Sequence, residues 1–170
     1  MPSVRRTTLR PLAARLRGRG RVALGPGVAL GPGVRFDVAP GARLTVGAGA
    51  QLEEGCRFHV SAGHVEIGAE TRLGERCVVA AHQHVEVGPR CQLDDGVVLI
   101  DFEHAGGDPE RPVREQGLVT APVRVEEGAT LDRGACVLPG ATVRAGAHVG
   151  PHAVVGAATR SAGGPAPPGS

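Results

Sequence analysis

The sequence does without most large aromatics and without lysine. It has no tryptophan, no tyrosine and three phenylalanines in 170 residues, and all nineteen basic residues are arginine. A core built on aromatic rings is excluded; any apolar interior must be made of Val, Leu, Ile and Ala. No apolar run approaches the roughly 18 residues of a membrane span. The basic N-terminus lacks the apolar stretch of a secretory signal, so the cytoplasm is the expected compartment. A net charge of +2 is too small to make the whole molecule a nucleic-acid binder. The four cysteines, Cys56, Cys77, Cys91 and Cys136, form no Cys-x-x-Cys pair. Buried thiols are expected in place of disulfides or zinc ligands, and no metal is expected.

What the chain does have is glycine, 27 of them, and a beat of six. From Val125 the branched residues run Val125, Leu131, Val137, Val143, Val149 and Val155, with Ala129, Ala135, Ala141, Ala147 and Ala153 four places after the first five. Gly128, Gly134, Gly140 and Gly146 stand just before four of those alanines. A period of six fits neither the 3.6 of a helix nor plain alternation. It fits very short strands joined by tight corners, with the branched residue inward, the small residue inward near the corner, and glycine taking positive φ.

The same beat runs upstream in threes: Leu24, Leu30 and Phe36; Val46, Leu52 and Phe58; Ile67, Leu73 and Val79; Val87, Leu93 and Leu99. Three sixes make one triangular turn. The rungs are then 24–41, 46–63, 67–84, 87–104, 125–142 and 143–160, separated by inserts of four, three, two, twenty and zero residues. Repeats of this kind stack, each rung burying its apolar row on the next. Six rungs at roughly 4.8 Å would stand about 29 Å tall.

The ends differ from the middle. Residues 1–21 form a basic segment with seven arginines, in which Pro11 could open a short helix through Arg17. It reads as a solvated terminal stretch. The repeat domain spans 22–160, with a loop at 105–123. The tail, 161–170, is too poor in apolar residues to order itself.

Tandem Leu24-Gly25-Pro26-Gly27-Val28-Ala29 and Val149-Gly150-Pro151-His152-Ala153-Val154 resemble the repeat of the hexapeptide acyltransferases. That resemblance implies an all-β fold: a left-handed parallel β-helix of about six triangular rungs with one long loop. It covers about four-fifths of the chain. The text Leu99-Ile100-Asp101-Phe102-Glu103-His104, then Asp108-Pro109, Arg111-Pro112, Gln116-Gly117 and Ala121-Pro122-Val123, is similar to the sugar and polysaccharide O-acetyltransferases of that group. There an Asp-x-x-His run ends a rung before a long excursion, and such loops usually carry function.

The resemblance implies that His104 is the general base, removing a proton from an acceptor hydroxyl that attacks acetyl-CoA. The chemistry suits an imidazole: an alcohol is a poor nucleophile at neutral pH, and a base titrating near 7 can take its proton during attack. Asp101 or Glu103 would fix the histidine tautomer or bind acceptor hydroxyls. Five places after Val79 and after Leu99 stand His84 and His104, so continued register would set them one rung apart on one corner. His84 then joins the acceptor side, with His82 near Phe102 in the same count.

For the donor, the resemblance points to Thr130, Arg133, Gly134, Gly150 and Pro151, along which the pantetheine arm would run. Thr130 stands where the family usually has tryptophan, and Pro151 offers no backbone N–H. Arg133 and Arg144 could hold the CoA phosphates. The family also implies a homotrimer, a symmetry that closes. The expectation is a CoA-dependent O-acetyltransferase acting on a sugar or glycan precursor. The alternative is a scaffold protein on the same fold, since a fold alone does not assign a function.

Overall fold

The computed structural model describes residues 20–105, 109–110, 112 and 115–157. The expected helix from Pro11 to Arg17, most of the basic segment and the tail lie outside the described residues.

Three parallel sheets of six strands each wrap a common core. The first holds Val22–Leu24, Arg43–Val46, His64–Ile67, His84–Val87, Val123–Val125 and Thr142–Val143. The second holds Ala29–Leu30, Gln51–Leu52, Arg72–Leu73, Gln92–Leu93, Thr130–Leu131 and His148–Val149. The third holds Arg35–Val38, Arg57–Val60, Val78–Ala81, Val98–Ile100, Cys136–Val137 and Val154–Val155. The chain visits the sheets in rotation, so each circuit is one rung of a parallel β-helix.

The columns expected from the beat of six are the columns of the structure. Leu24, Val46, Ile67, Val87, Val125 and Val143 stack in register on the first sheet. Leu30, Leu52, Leu73, Leu93, Leu131 and Val149 stack on the second. Phe36, Phe58, Val79, Leu99, Val137 and Val155 stack on the third. From rung two to rung five these side chains are buried, as is Val143 of the last rung, while the other column residues of the end rungs are only partly covered. Full burial of one such residue stabilises by about 1.5–3 kcal/mol, so the middle rungs carry most of the driving force.

Corners repeat as closely as the strands. The third corner residue adopts positive φ, usually as glycine, but Glu70, Arg76, Arg90 and His152 take it too (φ 54–57°). That left-handed turn costs a residue with Cβ roughly 1–2 kcal/mol. Its amide is the return: the N–H of Arg76 donates to Glu54 and that of His152 to Arg133, one rung back. Inside the corners, small side chains bond forward. The thiols of Cys56, Cys77 and Cys91 donate to the carbonyls of Gly74, Asp94 and Glu126 (3.0–3.1 Å), and the Thr71 hydroxyl to Gly88 (2.7 Å). All four cysteines are free thiols, and Cys136 is the one not fully buried.

Candidate active site

Among the described residues, rung four turns its last corner unlike any other rung. In rung three the third sheet ends at Ala81, two residues turn the corner, and the first sheet resumes at His84. In rung four the third sheet ends at Ile100, Asp101 follows, and the chain leaves the prism as a two-stranded ribbon. Phe102–His104 runs antiparallel to Leu118–Thr120, with His104 opposite Leu118 and Phe102 opposite Thr120. The first sheet resumes at Val123. The Ala121 N–H donates to the Asp101 carbonyl (2.9 Å), closing the ribbon at its root.

Asp101 is why the chain departs where it does. Val38, Val60 and Ala81 form one inward column. Ile100 is level with Ala80, so Asp101 comes next in that column, in an apolar interior. It is fully buried. A buried carboxylate must find donors, and the corner of rung three supplies them. Oδ1 accepts the His82 N–H (2.7 Å), and Oδ2 accepts those of Gln83 (2.7 Å) and His84 (2.6 Å). Hydrogen bonds to an ionised acceptor are roughly twice as strong as neutral ones. The expectation that Asp101 orients His104 or grips an acceptor is therefore corrected: its oxygens are engaged and shut off from solvent, and they act on the backbone of residues 82–84.

His104 is exposed on the ribbon, and among the described residues its imidazole has no hydrogen-bond partner. Glu103, also exposed, does not bond to it; alternation along a strand sends their side chains to opposite faces of the ribbon. The ring of Phe102 meets His82 edge-on, centroids 4.3 Å apart, as the count foresaw.

His84 stands at the root of the ribbon, but its register with His104 ends at Asp101. Its strand partner is His64, and the two rings lie 4.1 Å apart. His84 Nδ1 is buried and unpartnered, and its Nε2 lies 3.6 Å from Glu86, which also receives Arg124 (2.9 Å). The sequence reading missed His64; adding one rung's length to it lands on His84, which was the available signal.

The five residues expected to hold the donor gather elsewhere. Thr130 is half-buried on the second sheet beside His148. Arg133 and Gly134 turn the next corner, and Gly150 and Pro151 turn the same corner one rung later. Arg133 faces Asp95 (3.5 Å), and its N–H donates to no acceptor among the described residues. The ring of His152 lies over Gly134, where a Cβ would come within 2.5 Å of its Nδ1, so a larger residue there would have to displace that imidazole. The corner of Arg133 and Pro151 and the corner that leads to His104 are the two edges of the third face. Among the described residues no three His, Cys, Asp or Glu are grouped to hold a metal. No helix among them is long and apolar enough to cross a membrane.

No protein-family model matches the chain. Over 96 residues it is 28% identical to probable acetyltransferase Rv3034c of Mycobacterium tuberculosis, a match covering 56% of this chain and 32% of that protein. Among solved structures it resembles AntD, an N-acyltransferase from Bacillus cereus. A variant of AntD bound to dTDP and coenzyme A aligns with a TM-score of 0.69, 15% identity, 84% of this chain and 78% of that one. Another, bound to dTDP-4-amino-4,6-dideoxyglucose and coenzyme A, aligns with a TM-score of 0.65, 13% identity, 78% of this chain and 71% of that one. The prism is the left-handed parallel β-helix of these acyltransferases.

Proposed function

We propose, from the premise that this chain is an acetyltransferase homologue with the hexapeptide-repeat acyltransferase fold, that it transfers an acetyl group from acetyl-CoA to a hydroxyl of a sugar or glycan precursor. One observation carries the reading: among the described residues, the one rung whose corner opens is the rung whose excursion bears His104, exposed and without a hydrogen-bond partner. His104 takes the hydroxyl proton as the oxygen attacks the thioester carbonyl. Asp101 is a positioning residue that fixes the root of the ribbon. Glu103 and His84 flank the acceptor. Thr130, Arg133, Gly134, Gly150 and Pro151 carry the donor, with the free Arg133 amide as one anchor.

Donor and base lie at different corners of one prism, so a second copy completes the site. The third face between those corners supports this. Its outward positions in rungs three to six are Val78, Ala80, Val98, Ile100, Cys136, Leu138 and Val154. The first face presents Thr45, Glu66, Glu86, Arg124 and Thr142 instead, and the second Gln51, Arg72, Gln92, Thr130 and His148. The ribbon adds exposed Leu118 and Val119. Two unlike apolar patches on one chain make a head-to-tail contact, which closes into a ring. We take that ring to be a trimer, in the cytoplasm.

The test is acetyl-CoA thiol release against sugars, amino sugars and nucleotide sugars. His104→Ala should lower turnover by roughly 10² or more while CoA binding persists. Mixing His104→Ala subunits with Arg133→Ala subunits should restore part of the rate. Full turnover in His104→Ala overturns the assignment, and absence of CoA binding in the unaltered protein favours the scaffold. An amine-only acceptor profile would make the reaction N-acylation.

A further inference from the structure

The first two rungs carry a second reactive constellation, on the outer surface of the third sheet. Asp37 and His59 are register partners on adjacent rungs, and Ser61 follows His59 by two residues on the same outward face. The Asp37 carboxylate accepts from His59 Nδ1 (2.9 Å). The Ser61 hydroxyl lies 3.0 Å from His59 Nε2. With Nδ1 protonated toward Asp37, Nε2 is left as an acceptor for the Ser61 proton. Acid, base and nucleophile thus stand in the order and at the distances of a charge-relay triad, which is recognised by geometry and not by sequence position.

The backbone after the serine fits the same chemistry. Ser61 donates its own N–H to Ala81 (2.9 Å), the Gly63 carbonyl accepts from Arg43 (3.1 Å), and His64 donates to Gln83 (3.2 Å). The turn is therefore bonded to the rung before it and the rung after it. Gly63 has φ 65°, and a Cβ there would fall 1.8 Å from the Gln83 carbonyl oxygen, so only glycine makes the turn. Between these anchors the N–H groups of Ala62 and Gly63 donate to no acceptor among the described residues. Both residues are exposed, so their amides are open to the oxyanion that attack by Ser61 would form.

We infer that Ser61, His59 and Asp37 form an esterase site, separate from the transferase site, for small acyl esters of alcohols. Ser61 Oγ attacks the ester carbonyl carbon as His59 Nε2 takes the hydroxyl proton. The carbon–oxygen bond to the alcohol breaks, and His59 returns the proton to the leaving alkoxide. Water then attacks the acyl-serine, giving its proton to His59; the acyl–Oγ bond breaks and the proton returns to Ser61. Ester and water become carboxylic acid and alcohol. His59 and Asp37 are both more than half exposed, so the site is open to small esters and selects little beyond them.

The molecule holds its own control. His148 Nε2 bonds Asp132 (2.9 Å) on the same kind of outward surface, but among the described residues no hydroxyl bonds to its imidazole. The experiment is hydrolysis of p-nitrophenyl acetate by the full-length protein, with intact-mass detection of a fluorophosphonate adduct. One adduct per chain is expected, mapping to Ser61. Ser61→Ala should abolish the adduct, and His59→Ala and Asp37→Asn should each lower hydrolysis by roughly 10²-fold or more. His148→Ala should leave it unchanged. All four positions are on the surface, and circular dichroism would verify that each variant keeps its fold. Hydrolysis or labelling that survives Ser61→Ala, or no adduct on the unaltered protein, overturns the inference.

Discussion

The corner that ends rung three and the corner that ends rung four are built on the same plan until one residue differs. At the first, Ala81 fills the inward position, and two residues turn the chain back into the prism. At the second, Asp101 fills the equivalent position, and the chain runs out to a ribbon before returning at Val123. The direction of bonding reverses as well. Inside the other corners Cys56, Thr71, Cys77 and Cys91 donate forward to carbonyls of the next rung. Asp101 reaches back and accepts from the amides of the rung before it. A closed corner takes a small side chain that costs little to bury, apolar at Ala81 and a donor at Cys56, Thr71, Cys77 and Cys91. An open corner has lost the strand that would hold it, and a charged acceptor with three donors replaces that anchor.

Closing the open corner should have the largest effect. Replacing residues 102–121 by a two-residue turn like that of His82-Gln83 should abolish acetyl transfer while leaving the melting temperature within a few degrees, because no inward column is touched. Thermal denaturation and thiol release measured on the same protein check it. A collapse of stability would mean that the ribbon supports the prism and is not an appendage.

Asp101→Ala is the next in size. It restores the residue of rung three but removes the acceptor from three amides. Leaving a buried donor unsatisfied costs about 1–3 kcal/mol each, so a loss of roughly 3 kcal/mol or more is expected in urea denaturation, together with lower transferase activity. If stability is unchanged, the amides have found water or one another and the anchor argument fails. Phe102→Ala should be milder. It removes the edge-on contact with His82, about 0.5–1.5 kcal/mol, and should lower turnover several-fold by loosening the root that holds His104.

These contrasts also mark what could be read from the residues alone. The inward columns set by the beat of six were legible, because a branched residue at each strand and a small one at each corner leave few ways to stack; the second inward columns, Val38-Val60-Ala81 and Leu44-Val65-Val85-Val123, were not read. By the same logic Asp101, two places after inward Leu99, should have been read as buried. Its neighbour His104 drew it into the surface chemistry instead. Outward contacts were harder. His59 meets Asp37 across 22 residues, a distance set by one rung of eighteen plus an insert of four. Outward side chains obey no hydrophobic rule that would advertise the pairing; only the register, once settled, brings them together. The His64–His84 stack was hidden for the same reason.

The smallest expected effect tests the closed corners by pH. Burial raises the Cys91 and Cys136 thiols above their ordinary value, and Cys77 is raised by its bond to Cys56 and by burial. A group whose folded value is raised keeps its proton in the native state after the unfolded chain has released it. Its contribution is therefore complete below about pH 9 and declines as pH rises beyond it, by at most about 1.4 kcal/mol per pH unit for each thiol. Cys91→Ala should cost about 1 kcal/mol at pH 7, where the bond to the Glu126 carbonyl and the longer contact with the Pro89 carbonyl are lost. Between pH 9 and 10.5 the variant should fall less steeply than the unaltered protein, narrowing the gap between them. Urea titrations at several pH values would measure both slopes. A gap that widens with pH would mean that the thiol is ionised in the folded corner, and that closed corners, like the open one, can hold a negative charge.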